Sequence, residues 1–131
     1  MTNSSHWSNI PVLVTGATGI VGSWLCAELL KRGAHVVALI KELDPQSELI
    51  RTKNLRRITV VNGRLEDYWT VESAINQHDI QVVFHLGAQA IVGSALRSPL
   101  QTFETNIRGT YNVLEACRSH NELVQGIVVA S

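Results

Sequence analysis

The sequence predicts an α/β fold: a doubly wound parallel sheet of about five strands with helices on both faces. Three observations carry this expectation. Apolar, β-branched runs alternate with helical patterns along the whole chain, as in successive right-handed βαβ units. The runs Val36–Ile40 and Val82–Leu86 are almost continuously apolar, which suits strands buried on both faces. A glycine-rich turn, in Val12-Leu13-Val14-Thr15-Gly16-Ala17-Thr18-Gly19-Ile20-Val21-Gly22, joins the first run to the first helical pattern.

Each element has a local reason. The first strand is placed at Pro11–Thr15. The helix after it, Ile20–Arg32, carries Val21, Leu25 and Leu29 at helical spacing, and Gly33 stands where a C-cap glycine belongs. The second strand is His35–Ile40. The polar stretch that follows holds a short helix at Gln46–Arg51, and the third strand is Ile58–Asn62. Asp67 is the N-cap of a helix Tyr68–Gln77, a cap worth about 1 kcal/mol. The fourth strand is Gln81–Leu86. Ser98 at N-cap and Pro99 at N1 open a long helix that ends near Ser119. Its inner face is assigned to Ile107, Thr110, Val113, Leu114 and Cys117, and its outer face to Glu104, Arg108, Glu115 and Arg118. The fifth strand is Gly126–Ala130. Residues 1–10 read as a polar tail from which Trp7 could dock, and residues 11–131 as one domain.

Composition narrows the function classes. Of 131 residues, 45% are hydrophobic and 17% charged, and lysine plus arginine equals aspartate plus glutamate at 11 each. A net charge of zero gives no footprint for nucleic acid or a membrane surface. No apolar run has the length of a membrane span, and the polar start lacks a signal core. The two cysteines, Cys26 and Cys117, are far apart, lack metal-ligand spacing and read as buried reduced thiols. These features together predict a cytoplasmic protein with no metal.

The glycine turn is where chemistry is expected. Gly16 lets the chain turn sharply off the strand. Gly19 has no Cβ, so its backbone can approach phosphates, and Gly22 lets the helix pack closely on the sheet. The first amides and the positive end of the helix dipole then face an anion. The spacing is G-x-x-G-x-x-G rather than G-x-G-x-x-G, and a tight βα turn without ligand is the alternative.

Three motifs in order decide between these: the glycine turn, His85-Leu86-Gly87-Ala88-Gln89, and Thr105-Asn106-Ile107-Arg108-Gly109-Thr110. Together they resemble the extended short-chain dehydrogenase/reductase family, in particular its nucleotide-sugar epimerases and dehydratases. The resemblance covers Pro11 to Ser131. The stretches Gln89-Ala90-Ile91-Val92-Gly93 and Arg97-Ser98-Pro99-Leu100 are most similar to 4,6-dehydratases of the CDP-glucose and GDP-mannose type. The resemblance implies a Rossmann-like NAD(P)-binding domain. Gly16, Thr18, Gly19, Ile20 and Val21 would hold the pyrophosphate. Leu86, Gly87 and Ala88 would lie along the cofactor, with Gln89 near its nicotinamide half. Asn106 would brace the loops around the nicotinamide ribose. The family has alanine where Gly87 stands, and His85 reads as a satisfied structural histidine rather than a catalytic base.

The choice between NAD and NADP rests on the end of the second strand. Counting offers Glu42 or Asp44 for the ribose 2′-OH of NAD, but in register the position after Ile40 is Lys41. A cation there resembles members that bind the 2′-phosphate, so the reading leans to NADP, with solvated surface as the alternative. Where the family has Gly-Asp-Leu at the adenine, this chain has Gly63-Arg64-Leu65. Arg64 could stack on adenine or point to water.

Family chemistry depends on a Tyr-x-x-x-Lys pair and a Ser/Thr beyond the fifth strand. Tyr68 and Tyr111 are followed at that spacing by Glu72 and Glu115, and Ser131 stands just before the expected hydroxyl. No catalytic residue is therefore assigned. The chain is expected to be the cofactor-binding, amino-terminal part of a nucleotide-sugar 4,6-dehydratase, truncated before the substrate domain and inactive alone. A 4-epimerase fragment and a stand-alone dinucleotide-binding module are the alternatives, with a nonfunctional remnant as a third. The intact enzyme would take a nucleotide sugar, and the helix over residues 98–119 could pair two copies into a homodimer.

Overall fold

Within the residues that the computed structural model describes, 6–41, 47–87 and 99–130, the apolar runs form five parallel strands. These are β1 (Pro11–Thr15), β2 (His35–Ile40), β3 (Thr59–Asn62), β4 (Val82–His85) and β5 (Gly126–Val129). Their order is β3-β2-β1-β4-β5. The chain builds outward from β1 to β3, then crosses back to the other side of β1 for β4 and β5. The reversal makes β1 and β4 neighbours, with Thr15 beside His85.

Alternation along the strands sorts the core into two layers. Val12, Val14, Val36, Ala38 and Ile40 cluster with Cys26 and Leu29 of α1 (Ile20–Lys31) and Leu49 of α2 (Glu48–Arg51). Leu13, Val37, Leu39 and Val83 cluster with Val71, Ala74 and Ile75 of α3 (Tyr68–Gln77) and with Val113, Ala116 and Cys117 of α4 (Pro99–Ser119). The Trp7 ring docks with its centroid 5.9 Å from that of Phe84, on the α1 layer. Both cysteines are buried and free, and burial pushes their thiols up, to about 12 for Cys26 and about 11 for Cys117. No helix among the described residues is long and apolar enough to cross a membrane.

The punctuation follows the local chemistry. Gly33 ends α1 at φ 87°, a left-handed conformation that glycine adopts without strain. The Asp67 carboxylate accepts from the Trp69 amide at 3.1 Å and from the Thr70 hydroxyl at 2.8 Å, starting α3. The expected Ser98 cap lies outside the described residues. So does the first residue of the short helix expected from Gln46. That helix begins at Glu48, and an unexpected 3-10 turn, Asn54–Arg57, leads into β3.

Two helix faces differ from expectation. On α1 the buried positions are Gly22, Ser23, Cys26 and Leu29, and Val21 is 66% exposed. The tight seat of Gly22, described below, rotates Val21 outward. On α4 the buried residues include Asn112, Val113, Ala116 and Cys117, whereas Ile107 and Leu114 are exposed. Gly109 lies against Leu65, which rotates the small residues inward. Glu104, Arg108, Glu115 and Arg118 are exposed as expected, and Leu100, Phe103, Ile107, Tyr111 and Leu114 are exposed as well. At the far end α4 is tied to α3 by a 2.7 Å contact of His120 Nε2 with Glu72 and by a Tyr68–Ser119 hydrogen bond of 3.2 Å.

Leu13 is fully buried at the centre of the sheet. Leu13→Ala should destabilise the chain by roughly 3 kcal/mol, while Trp24→Ala on the exposed face of α1 should stay within about 0.5 kcal/mol. Urea unfolding of both variants tests the assignment of inside and outside.

Candidate functional site

The site is built where β1 and β4 end side by side. Gly16 leaves β1 at φ 74°. A Cβ there would lie 2.7 Å from the Leu86 carbonyl carbon and 2.8 Å from the Gly87 nitrogen, so only glycine lets the two strand ends close. A Cβ on Gly22 would overlap the Gly16 carbonyl oxygen, so α1 sits directly against the turn. Side chains then restrain the loop carbonyls. The Ser23 hydroxyl donates to the Ala17 oxygen at 2.9 Å. The Ser47 hydroxyl donates to the Thr18 oxygen at 3.2 Å and accepts from the Leu49 amide at 3.1 Å. The Gly16 oxygen accepts from the Gly19 amide at 3.2 Å.

With those acceptors engaged, α1 presents donors at its start. Gly19 is its N-cap, in extended conformation, with no side-chain cap and no acidic residue in the first turn. The first amides of a helix have no partner within it and carry the positive end of its dipole. Around Gly19 the protein leaves room. Among the described residues a Cβ there would meet only the Gly16 oxygen, at an ordinary 3.5 Å, so their packing does not require glycine at this position. An uncapped helix start beside a glycine that the protein itself does not need fits a diphosphate. Gly16, Thr18, Gly19, Ile20 and Val21 all lie in this one turn, with Ile20 and Val21 exposed.

The facing wall follows β4. Leu86 and Gly87 adjoin Gly16, while Ala88 and Gln89 lie outside the described residues. A Cβ on Gly87 would meet Leu65 Cδ1 at 2.8 Å, and one on Gly109 would meet Leu65 Cβ at 3.0 Å. Leu65 is thus wedged between the end of β4 and α4, and a Cβ on Gly87 would press on it, on Thr15 Oγ1 and on the Gly16 nitrogen. The Asn112 amide donates to the Leu65 carbonyl at 2.7 Å and holds the wedge. Asn106 is half-buried on α4. Lys41 and Arg64 are exposed beyond the carboxyl ends of β2 and β3, where Ile40 pairs with Asn62. Glu42 and Asp44 lie outside the described residues.

His85 is almost wholly buried and polar on both sides. Its Nδ1 is 2.8 Å from Thr15 Oγ1, and its Nε2 is 3.1 Å from Thr110 Oγ1. Thr15 Oγ1 also accepts from the Gly87 amide at 2.9 Å. Burial lowers the imidazole pKa from the ordinary 6.5, so the ring is held neutral, as expected of a satisfied structural histidine. The sequence places Thr110 on the inner face of α4 but assigns no site role to it or to Thr15, Ser47 or Asn112. Ser47 had a local signal, as a serine before a helical stretch. The pairing of Thr15 with His85 depends on strand order, which no local pattern records.

Known proteins resemble this chain in sequence and fold. A family model described as GDP-mannose 4,6 dehydratase matches residues 13–131. A CDP-glucose 4,6-dehydratase of Salmonella typhimurium LT2 is 32% identical over 90% of this chain and 33% of its own length. UDP-glucuronate 4-epimerase 1 of Arabidopsis thaliana is 41% identical over 86% of this chain and 27% of its own length. Among solved structures, a UDP-glucose 4-epimerase of Stenotrophomonas maltophila with bound NAD and a formylated UDP-arabinopyranose superposes with a TM-score of 0.80. It is 30% identical, with 94% of this chain and 37% of that chain covered. NAD is the dinucleotide bound in this and two further solved epimerases. The chain spans about a third of the length of these proteins.

The lowered pKa of His85 has a signed consequence. As pH falls, the unfolded chain takes up this proton before the folded chain does. The stability contributed by neutral His85 is therefore complete above 6.5 and is lost as pH falls from there through the folded value. The unfolding midpoint should drop on mild acidification, and His85→Asn should shallow that drop, as measured by urea unfolding across pH.

Proposed function

The chain belongs to the GDP-mannose 4,6 dehydratase family, and from that premise we propose that it is the dinucleotide-holding part of a nucleotide-sugar dehydratase or epimerase. The supporting observation is the uncapped start of α1 beside Gly19, a glycine without a packing reason. In this reading Gly16, Thr18, Gly19, Ile20 and Val21 take the pyrophosphate. Leu86 and Gly87, continued by Ala88 and Gln89, run along the dinucleotide. Asn106 braces the nicotinamide ribose, and Lys41, Arg64 and Leu65 line the adenosine end.

NAD is the dinucleotide proposed. The lean to NADP, drawn from Lys41, finds no support among the solved relatives, whose bound dinucleotide is NAD. When bound, the nicotinamide supplies hydride transfer at the sugar C4. The residues of this chain bind and orient; no catalytic acid or base is assigned among them. The family model and the Salmonella relative favour a dehydratase, in which water is eliminated across C5 and C6. The plant relative favours a 4-epimerase.

Calorimetry with NAD and NADP tests this reading. NAD should bind, and more tightly than NADP. Gly19→Ala should keep the unfolding free energy within about 1 kcal/mol yet weaken NAD roughly tenfold or more. Gly22→Ala should lower stability itself, because its Cβ meets the Gly16 carbonyl. A wild-type chain that ignores both dinucleotides would sink the proposal.

The outer stripe of α4 supports pairing of two copies. Leu100, Phe103, Ile107, Tyr111 and Leu114 recur at spacings of three and four and are all exposed, the pattern of an apolar helix seam. Sedimentation should report a dimer, and Ile107→Glu should convert it to monomer without unfolding it. A wild-type monomer at high concentration would refute the pairing.

A further inference from the structure

Thr15 and His85 lie side by side in the parallel register of β1 and β4. Both side chains turn toward α4 and both are buried. The Gly87 amide donates to Thr15 Oγ1. The threonine hydroxyl is sealed from water, and its own proton has an acceptor 2.8 Å away in His85 Nδ1. The ring proton then belongs on Nε2, which donates to Thr110 Oγ1. The Gly87 amide, the Thr15 hydroxyl and the His85 Nε2–H each then have an acceptor in this chain of bonds, which ends on Thr110 Oγ1.

We propose that His85, as the neutral Nε2–H imidazole, is a positioning residue that sets the Gly16–Gly87 edge of the sheet at its working distance from the Asn106 turn of α4. This rests on the dinucleotide reading given above. Thr110 is one helical turn after Asn106, on the same face. Leu65 fills the space between Gly87 and Gly109, but apolar contact has no direction. The hydrogen bonds supply direction. The groups facing the ring from β1, β5 and α4 are Thr15, Val129 and Thr110, none of them charged. A second ring proton would make Nδ1 a donor to a hydroxyl that already accepts from Gly87, and the threonine proton would lose its acceptor. The site would then loosen on acidification.

Calorimetry with NAD on the full chain tests this, using wild type, Thr110→Val, Thr110→Ser, Val113→Ala and His85→Asn. Thr110→Val should weaken NAD about three- to tenfold, and Thr110→Ser should restore it. Val113→Ala removes core contact on the same helix without touching the ring. It should lower the unfolding midpoint but leave affinity within about twofold. Long-range proton–nitrogen NMR should show His85 in the Nε2–H form. Wild-type affinity should fall on mild acidification, and His85→Asn should abolish that dependence. Wild-type affinity in Thr110→Val, an equal loss in Val113→Ala, or an Nδ1–H ring would overturn the positioning role while NAD binding stood. Failure of the wild type to bind NAD is a separate result and would remove the dinucleotide reading beneath it.

Discussion

Gly22 has no side chain, and the carbonyl oxygen of Gly16 lies where one would be. The rest of the site depends on that contact. Because α1 can approach so closely, its first turn stands against the glycine turn at the end of β1. The same approach turns Ser23 inward to the Ala17 carbonyl and Val21 outward. A methyl group at position 22 would push the helix away from the glycine turn. Gly16 repeats this logic against Leu86 and Gly87, so two glycines without room for a Cβ close three elements around one point.

Gly19 belongs to a different category, and the contrast separates packing from binding. Gly16 and Gly22 are glycines because protein atoms occupy the neighbouring space. Among the described residues Gly19 has ordinary contacts only, in a backbone conformation open to any residue. Glycines required by the fold say nothing about ligands. A glycine that the fold does not require, at an uncapped helix start, points to a group that the protein does not itself supply.

Much of this was legible before any coordinates, because the signals were local. Gly33, Asp67 and Pro99 mark helix ends through backbone and capping chemistry that acts within a few residues, and the continuous apolar character of Val36–Ile40 reports burial on both faces. The glycine turn was readable for the same reason. The misreadings share an opposite cause. Periodicity alone aligns Val21 with Leu25 and Leu29 and puts Ile107 and Leu114 on the inner face of α4, but helix rotation is set by where the backbone comes closest. That is decided by Gly22 against Gly16 and by Gly109 against Leu65, contacts made across the fold. The bonds of Thr15 and Thr110 are not legible locally because their partner His85 is 70 and 25 residues away. It meets them only once β4 has been laid beside β1.

The helix α4 connects these levels. Its inner face, with Gly109, Ala116 and Cys117, is small enough to lie close on the sheet, and it carries the Thr110 contact to His85. Its outer face carries the apolar stripe proposed to meet a second copy. Ile107 of that stripe is the neighbour of Asn106, so the pairing surface and the bracing residue share a single helical turn. Pairing would remove apolar area from water at about 25 cal/mol per Å². Part of that gain would go to ordering the turn that holds Asn106, since a frayed turn cannot bury its outer side chains in a partner. Association and dinucleotide binding would thus favour the same arrangement of α4. By linkage, each would strengthen the other by the same factor.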